Sequence, residues 1–318
     1  YMKSSLTIRN AGVVLPGNIQ KTDVSVINGV INAIGSEIPE VGEVIDAEGL
    51  FLIPGIIDPQ VHFREPGADH KEDLHSGSCA AAAGGVTSFL DMPNNNPPVT
   101  TIKRMAEKKQ LAAEKSVVNY GFFIGATPDN LEEINSVENV CGIKIFMGAS
   151  TGDLLVDDPE TLESIFANGS KLIAVHAEDE RILQANRILM KGIDDVRIHS
   201  RIRDESAALN ATKLATRLSL KYQRRLHVLH LTTEEECDFL RALPREHLIS
   251  TEVCPQNIVL NSPECYEHLG TKALMNPPIR SKRHSVALWQ ALKDGIIDCI
   301  ATDHAPHTLA EKEQPYGI

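Results

Sequence analysis

The sequence predicts an α/β protein: a (β/α)8 barrel of the TIM type joined to a small β-sandwich-like domain. Three observations carry that prediction. From Pro54 onward, short apolar runs alternate with helical patterns, the rhythm of repeated βα units. Residues 1–53 lack that rhythm and alternate apolar with polar in short pieces, as a half-exposed β unit does. Polar and charged residues gather just after the apolar runs, where barrel enzymes keep their chemistry. The 318 residues exceed one average domain, yet barrels of about 250 residues are routinely single domains. The expected division is therefore 1–53 for the β domain and 54–318 for the barrel.

Taken in order, Asp23 to Ile27 and Val30 to Ile34 flank Asn28-Gly29, a pair that signals a type I′ hairpin because both turn residues need positive φ. Eight strand candidates follow: Leu50 to Ile57, Val86 to Met92, Asn119 to Gly125, Gly142 to Met147, Leu172 to Ala177, Leu226 to Leu231, Ile249 to Cys254 and Ile296 to Thr302. Such runs, bounded by turn residues, suit strands covered on both faces by helices. The count favours a closed barrel over an open doubly wound sheet. Helix starts are readable between them. Asp158-Pro159 offers an N-cap followed by proline at the first helical position, Thr233 with Glu236 forms a capping box, and Ser281 to Asp294 closes on Gly295. The charged stretch Lys103 to Lys115 reads as a solvated helix face. Only Ala305 to Ile318 follow the eighth run, too few for a closing helix, so a natural C-terminal segment is expected to be missing.

Charge and cysteine usage narrow the partners. Lys and Arg number 31 against 43 Asp and Glu, a net charge of -12 that repels phosphate backbones and anionic membranes. No nucleic-acid or membrane partner is expected. The six cysteines form no CxxC pair, as in a reducing compartment, and no run of 18 apolar residues appears, so a cytoplasmic location is expected.

The stretch Asp58-Pro59-Gln60-Val61-His62-Phe63-Arg64-Glu65-Pro66-Gly67 reads as the mouth of a site. Later strands add Asn94-Asn95-Asn96 after the second, Lys144 within the fourth, and then His176, His230 and Asp303 with His304 and His307. Alone, His176 or His230 would be an ordinary buried histidine. Together, histidines and an aspartate converging on one barrel face supply the nitrogen and carboxylate ligands that Zn²⁺ takes. Lys144 stands in the apolar strand Ile-Lys-Ile-Phe, where an ammonium is costly unless paired with a carboxylate. A lysine deprotonated by burial can instead react with CO2, giving a carbamate able to bridge two cations. Arg64 could pair with Glu65 or Asp69, and the three asparagines before Pro97 are also a plain turn sequence.

In this order the strings DPQVHFREPG, DMPNNNPP, KIFMGAS, HAED, HLTT, MNPPIRS and ATDHAPH resemble dihydroorotase of the amidohydrolase superfamily, from about Ile53 to His307. The resemblance implies a metal-dependent hydrolase that cyclises N-carbamoyl-L-aspartate to L-dihydroorotate in pyrimidine (UMP) biosynthesis. It implies metal ligands at His62, Lys144, His176, His230 and Asp303, with Lys144 carbamylated and Asp303 catalytic. Substrate contacts would fall on Arg64, Asn96, Asn276 and His307. Two Zn²⁺ per subunit are expected, in a homodimer. One position departs from the family pattern Asp-x-His-x-His: the first histidine is Gln60, a poorer zinc ligand, so one cation is expected to be held weakly. The alternatives are a hydantoinase or allantoinase, which use the same metals on other cyclic amides, and a non-catalytic scaffold that has lost a ligand at Gln60.

Overall fold

The computed structural model describes residues 5–149, 154–244 and 248–317. The chain forms two compact units, Tyr1–Ile56 and Ile57–Ile318.

In the first unit, β1 (Leu6–Leu15), β2 (Asn18–Ile27), β3 (Val30–Gly35) and β4 (Glu43–Asp46) lie in the order β3-β2-β1-β4, and β5 (Phe51–Leu52) also pairs with β1. The β2–β3 turn has φ of 53° at Asn28 and 78° at Gly29, the two positive angles a type I′ hairpin needs. Ala11, Val13, Val24 and Ala47 form a small core of their own.

The second unit is built on eight strands: β6 (Ile56–Val61), β7 (Val86–Asp91), β8 (Asn119–Gly125), β9 (Gly142–Phe146), β10 (Ile173–His176), β11 (Leu226–Val228), β12 (Ile249–Val253) and β13 (Cys299–Ile300). Each is hydrogen-bonded to its sequence neighbour in one sheet. The sheet all but closes on itself, because His62 N donates to His304 O at 2.7 Å and Asp303 N to Gln60 O at 3.0 Å. This is the expected (β/α)8 barrel. Its apolar interior and helix-facing layer run through Phe89, Phe122, Ile124, Ile143, Ile145, Ile173, Val175, Leu226, Val228 and Val253, all essentially buried.

Seven of the eight strand positions fall within the expected runs. The first does not. The run Leu50 to Ile57 ends the N-terminal sheet as β5, and the barrel strand starts at Ile56 and contains Asp58 and Gln60. Its polar residues hid it. Asp58 is buried and ties β6 to the end of the eighth unit, accepting from Thr302 N at 3.1 Å and Thr302 Oγ1 at 2.5 Å.

The helix starts form as read. Asp158 accepts from Thr161 N at 2.8 Å, and Thr233 with Glu236 makes the reciprocal capping box. Ser281 stands at the N-cap of Lys282–Lys293 without a side-chain capping bond. The helix Ile102–Lys115 departs from a purely solvated face: Lys108 is 1% exposed and reaches under the barrel end to Asp91 Oδ2 at 2.7 Å, Met92 O at 3.2 Å and Asn95 Oδ1 at 2.5 Å.

Candidate active site

The site grows from β6. Its alternation sends Asp58, Gln60 and His62 inward, and the last two reach the end of the barrel where Asp303 arrives from the eighth unit. His62 Nε2 lies 3.0 Å from Asp303 Oδ1, and Gln60 Nε2 donates to the same oxygen at 3.1 Å. The other ring nitrogen of His62 meets Asn94 Oδ1 at 2.5 Å. A carboxamide oxygen only accepts, so that bond places a proton on Nδ1, and a second proton on Nε2 makes the contact with Asp303 a charged hydrogen bond. Burial raises the Asp303 carboxyl, but the bond and charge of His62 outweigh it and hold the group below the usual aspartate range.

Across the barrel end, His176 closes β10 and His230 follows β11. His176 Nδ1 and His230 Nε2 face each other at 3.0 Å, with the rings edge to face. Burial pushes both imidazoles below the ordinary histidine value, which leaves them neutral, the form in which imidazole ligates a cation. Between these groups stands Lys144 on β9. It is 1% exposed, its Nζ has no hydrogen-bond partner among the described residues, and burial lowers its amine to about 8. The expected alternative, a lysine paired with a carboxylate, is not what forms there. Gln60 Oε1 is the second buried polar atom without a partner at this point.

Two of these residues hold left-handed backbone: His230 at φ 37° and Asp303 at φ 50°. Non-glycine residues there cost of order 1–3 kcal/mol each and persist where the surroundings fix them. Glu252 supplies part of that fixing, since its Oε1 accepts from His230 N at 3.2 Å.

All eight of His62, Arg64, Lys144, His176, His230, Asn276, Asp303 and His307 line one cavity of about 670 Å³. Arg64 makes no pair with Glu65 or Asp69. Its Nε donates to Pro306 O at 2.9 Å and its Nη2 lies 3.2 Å from His307 Nε2, which aims the guanidinium at the cavity. Burial and the charge of Arg64 push His307 down to about 4.

The asparagine loop corrects one expectation. Asn96 is exposed and is not on the cavity wall; Asn94 is. Asn95 is used within the fold, donating to Phe63 O at 3.1 Å and Glu65 O at 3.0 Å. The loop is also pinned at Gly67, where φ is +98° and a Cβ would stand 1.6 Å from Asn96 O, so only glycine fits.

Other residues on the wall carried no sequence signal. His199 lines the cavity and meets Met275 O at 3.0 Å and Asn276 Oδ1 at 3.1 Å. Leu260, Leu269, Leu274 and Ile279 add apolar lining to the cavity. His227, Glu252 and Cys299, on three adjacent strands, bring potential ligand atoms within 4.8 Å of one another, with His227 Nε2 3.0 Å from Glu252 Oε2.

The chain is similar to known proteins over nearly its whole length. The model described as Amidohydrolase family matches residues 51–313. A dihydroorotase of Methanosarcina acetivorans is 36% identical over 96% of this chain and 68% of its own length. An allantoinase of Streptomyces avermitilis is 33% identical over 98% of this chain and 72% of its own length. Among solved structures, the L-hydantoinase (dihydropyrimidinase) from Arthrobacter aurescens superposes with a TM-score of 0.93 at 28% identity, covering 98% of this chain and 71% of that one.

Proposed function

This chain belongs to the amidohydrolase family, and on that premise we propose that it is a zinc-dependent dihydroorotase, interconverting N-carbamoyl-L-aspartate and L-dihydroorotate in pyrimidine synthesis. The observation that carries the reading is one cavity that joins the donor set His62, Lys144, His176, His230 and Asp303 to the guanidinium of Arg64.

The donor set fits a metal. Two neutral imidazoles face each other at 3.0 Å, and the buried Lys144 Nζ and Gln60 Oε1 lack any other partner among the described residues. We assign one Zn²⁺ to Lys144, His176 and His230, and a second, more weakly held, to His62, Lys144 and Asp303, with Lys144 carbamylated. Bound there, zinc supplies Lewis acidity and lowers the pKa of water towards 7.

The rest is work for the chain's own side chains. Gln60 donates to Asp303 at Oδ1, the oxygen that also faces His62, so Oδ2 is the oxygen we assign to the proton. In ring opening, Asp303 takes a proton from the attacking water as the new C–O bond forms. It returns that proton to the ring nitrogen as the C–N bond breaks, and the synthetic direction reverses both transfers. Arg64 presents its planar guanidinium to the substrate carboxylate, with His307 at its side and Asn276 and Asn94 completing the orientation. The working unit we propose is a cytoplasmic homodimer; no helix among the described residues is long and apolar enough to cross a membrane.

One observation favours a second reading. The apolar wall of Leu260, Leu269, Leu274 and Ile279 suits a hydrophobic substituent, as a hydantoin would carry, better than a carboxylate. Turnover of L-dihydroorotate, hydantoin, 5-alkyl hydantoins and allantoin by the zinc-loaded protein separates the two. A preference for dihydroorotate is expected, and a preference for any of the others ends the dihydroorotase assignment. Absence of zinc together with an unmodified Lys144 mass would instead favour the scaffold reading.

A further inference from the structure

We propose that Glu178 is a positioning residue that decides which nitrogen of His176 faces the metal site, and that Arg203 is the clamp that keeps Glu178 in that role. The inference rests on the metal-dependent reading above.

Glu178 is fully buried, two residues beyond His176, and His176 Nε2 meets its Oε2 at 2.7 Å. Arg203, 3% exposed, spans both carboxylate oxygens with Nε at 3.1 and 3.0 Å and adds a contact from Nη2. A carboxylate in the grip of a guanidinium is an acceptor only, so the hydrogen in the His176 bond belongs to Nε2. A neutral imidazole protonated on Nε2 carries its lone pair on Nδ1, the atom that faces His230 Nε2 at 3.0 Å. With the opposite tautomer, His176 would present an N–H where a cation needs a lone pair.

Arg203 is in turn fixed to the segments that follow three ligand strands. Its Nη2 donates to Ala149 O at 2.9 Å, beyond Lys144 on β9. Its own carbonyl accepts from Arg280 Nη1 at 2.8 Å, and Arg280 Nε donates to Thr232 Oγ1 at 2.9 Å, two residues beyond His230. Gly148 packs so closely that a Cβ would stand 2.6 Å from Glu178 O. The clamp therefore couples the orientation of His176 to the positions of Lys144 and His230.

Zinc affinity, measured by chelator competition in bicarbonate buffer alongside thermal unfolding, tests this on the parent, Glu178→Met and Glu178→Met/Arg203→Met, which leave His176 Nε2 no acceptor at that place. The single variant leaves a buried guanidinium unpaired and loses stability; the double variant removes both charges and recovers the melting temperature. Both are expected to bind Zn²⁺ about 10- to 100-fold more weakly than the parent, the usual effect of removing such an outer partner. Affinity that returns with the melting temperature in the double variant, or that never changes, overturns the proposal. A parent that takes up no Zn²⁺ overturns the metal-dependent reading and this inference with it, whereas a zinc-binding parent with unaffected variants overturns this inference alone.

Discussion

Replacing Lys108 with Met tests how the fold holds the loop that orients His62. The Lys108 ammonium is buried against Asp91 Oδ2, Met92 O and Asn95 Oδ1, and Asp91 is itself fully buried. Met matches the length of the stem but removes the charge. Loss of one member of a buried pair costs about 3–5 kcal/mol, because the other is left buried without its countercharge. Asp91 keeps one bond, from Phe63 N to Oδ1 at 3.0 Å, which places the expected loss near the lower end, about 3 kcal/mol. For a unit of this size that is a fall in melting temperature of roughly 6–12 °C. Lys108→Met/Asp91→Asn, with both charges gone, should recover most of it. The pH dependence has a definite sign. Burial already raises the Asp91 carboxyl, and Lys108 is the largest influence opposing it, so its removal lifts the folded-state value further above the unfolded one. The penalty is then fully present above that raised value and shrinks as pH falls through it. Guanidinium unfolding of the three proteins between pH 4 and 8 checks this. A single variant within about 1 kcal/mol of the parent at neutral pH, or a penalty that grows on acidification, would refute the ion-pair argument.

Other expected outcomes follow from the site. Asp303→Asn should lower kcat by about 10²- to 10⁴-fold with an unchanged circular-dichroism spectrum, since an amide cannot carry the proton; near-parental turnover would remove Asp303 from that role. Arg64→Lys exchanges a two-pronged contact for a point charge and should raise KM for dihydroorotate by about 10- to 100-fold, read from initial rates, with an unaltered KM as the contrary result. Gln60→His should raise the zinc retained per chain after dialysis, measured by elemental analysis; no change would make Gln60 a tolerated substitution. Acid stability should depend on Glu178. Burial raises its carboxyl, but the Arg203 charge and the bonds from His176 and Arg203 outweigh it and hold the group below the ordinary value. Its contribution is therefore complete above the unfolded-state pKa and is lost as pH falls below it. Unfolding free energies from pH 7 to 3 should fall less steeply in Glu178→Met/Arg203→Met than in the parent.

The barrel was legible because strands covered on both faces produce apolar runs, and seven of them sit where those runs are. The first strand was misplaced because its lumen-facing residues, Asp58 and Gln60, broke the pattern that the reading relied on. Residues such as His62, Lys144, His176, His230 and Asp303 stood out because polar groups are conspicuous in or just after an apolar stretch. The choice among Asn94, Asn95 and Asn96 was beyond sequence reasoning. Three identical side chains are distinguished only by a loop conformation that Lys108 and Gly67 impose from a distance. Lys108 itself sat among many charges on a helix, and nothing in that pattern says that one of them turns inward. His199 and Arg203 come from a helical excursion between β10 and β11, so their arrival at the site depends on tertiary packing alone.

The left-handed backbone at His230 and Asp303 means that the reactive end of this barrel sits uphill from the conformation its own chain would choose. Glycine at either place would relax the main chain, so, on the roles proposed for these residues, folding and chemistry pull these two codons in opposite directions. A copy of this protein released from the need to turn over substrate would drift most readily at these positions, growing sturdier as it fell silent.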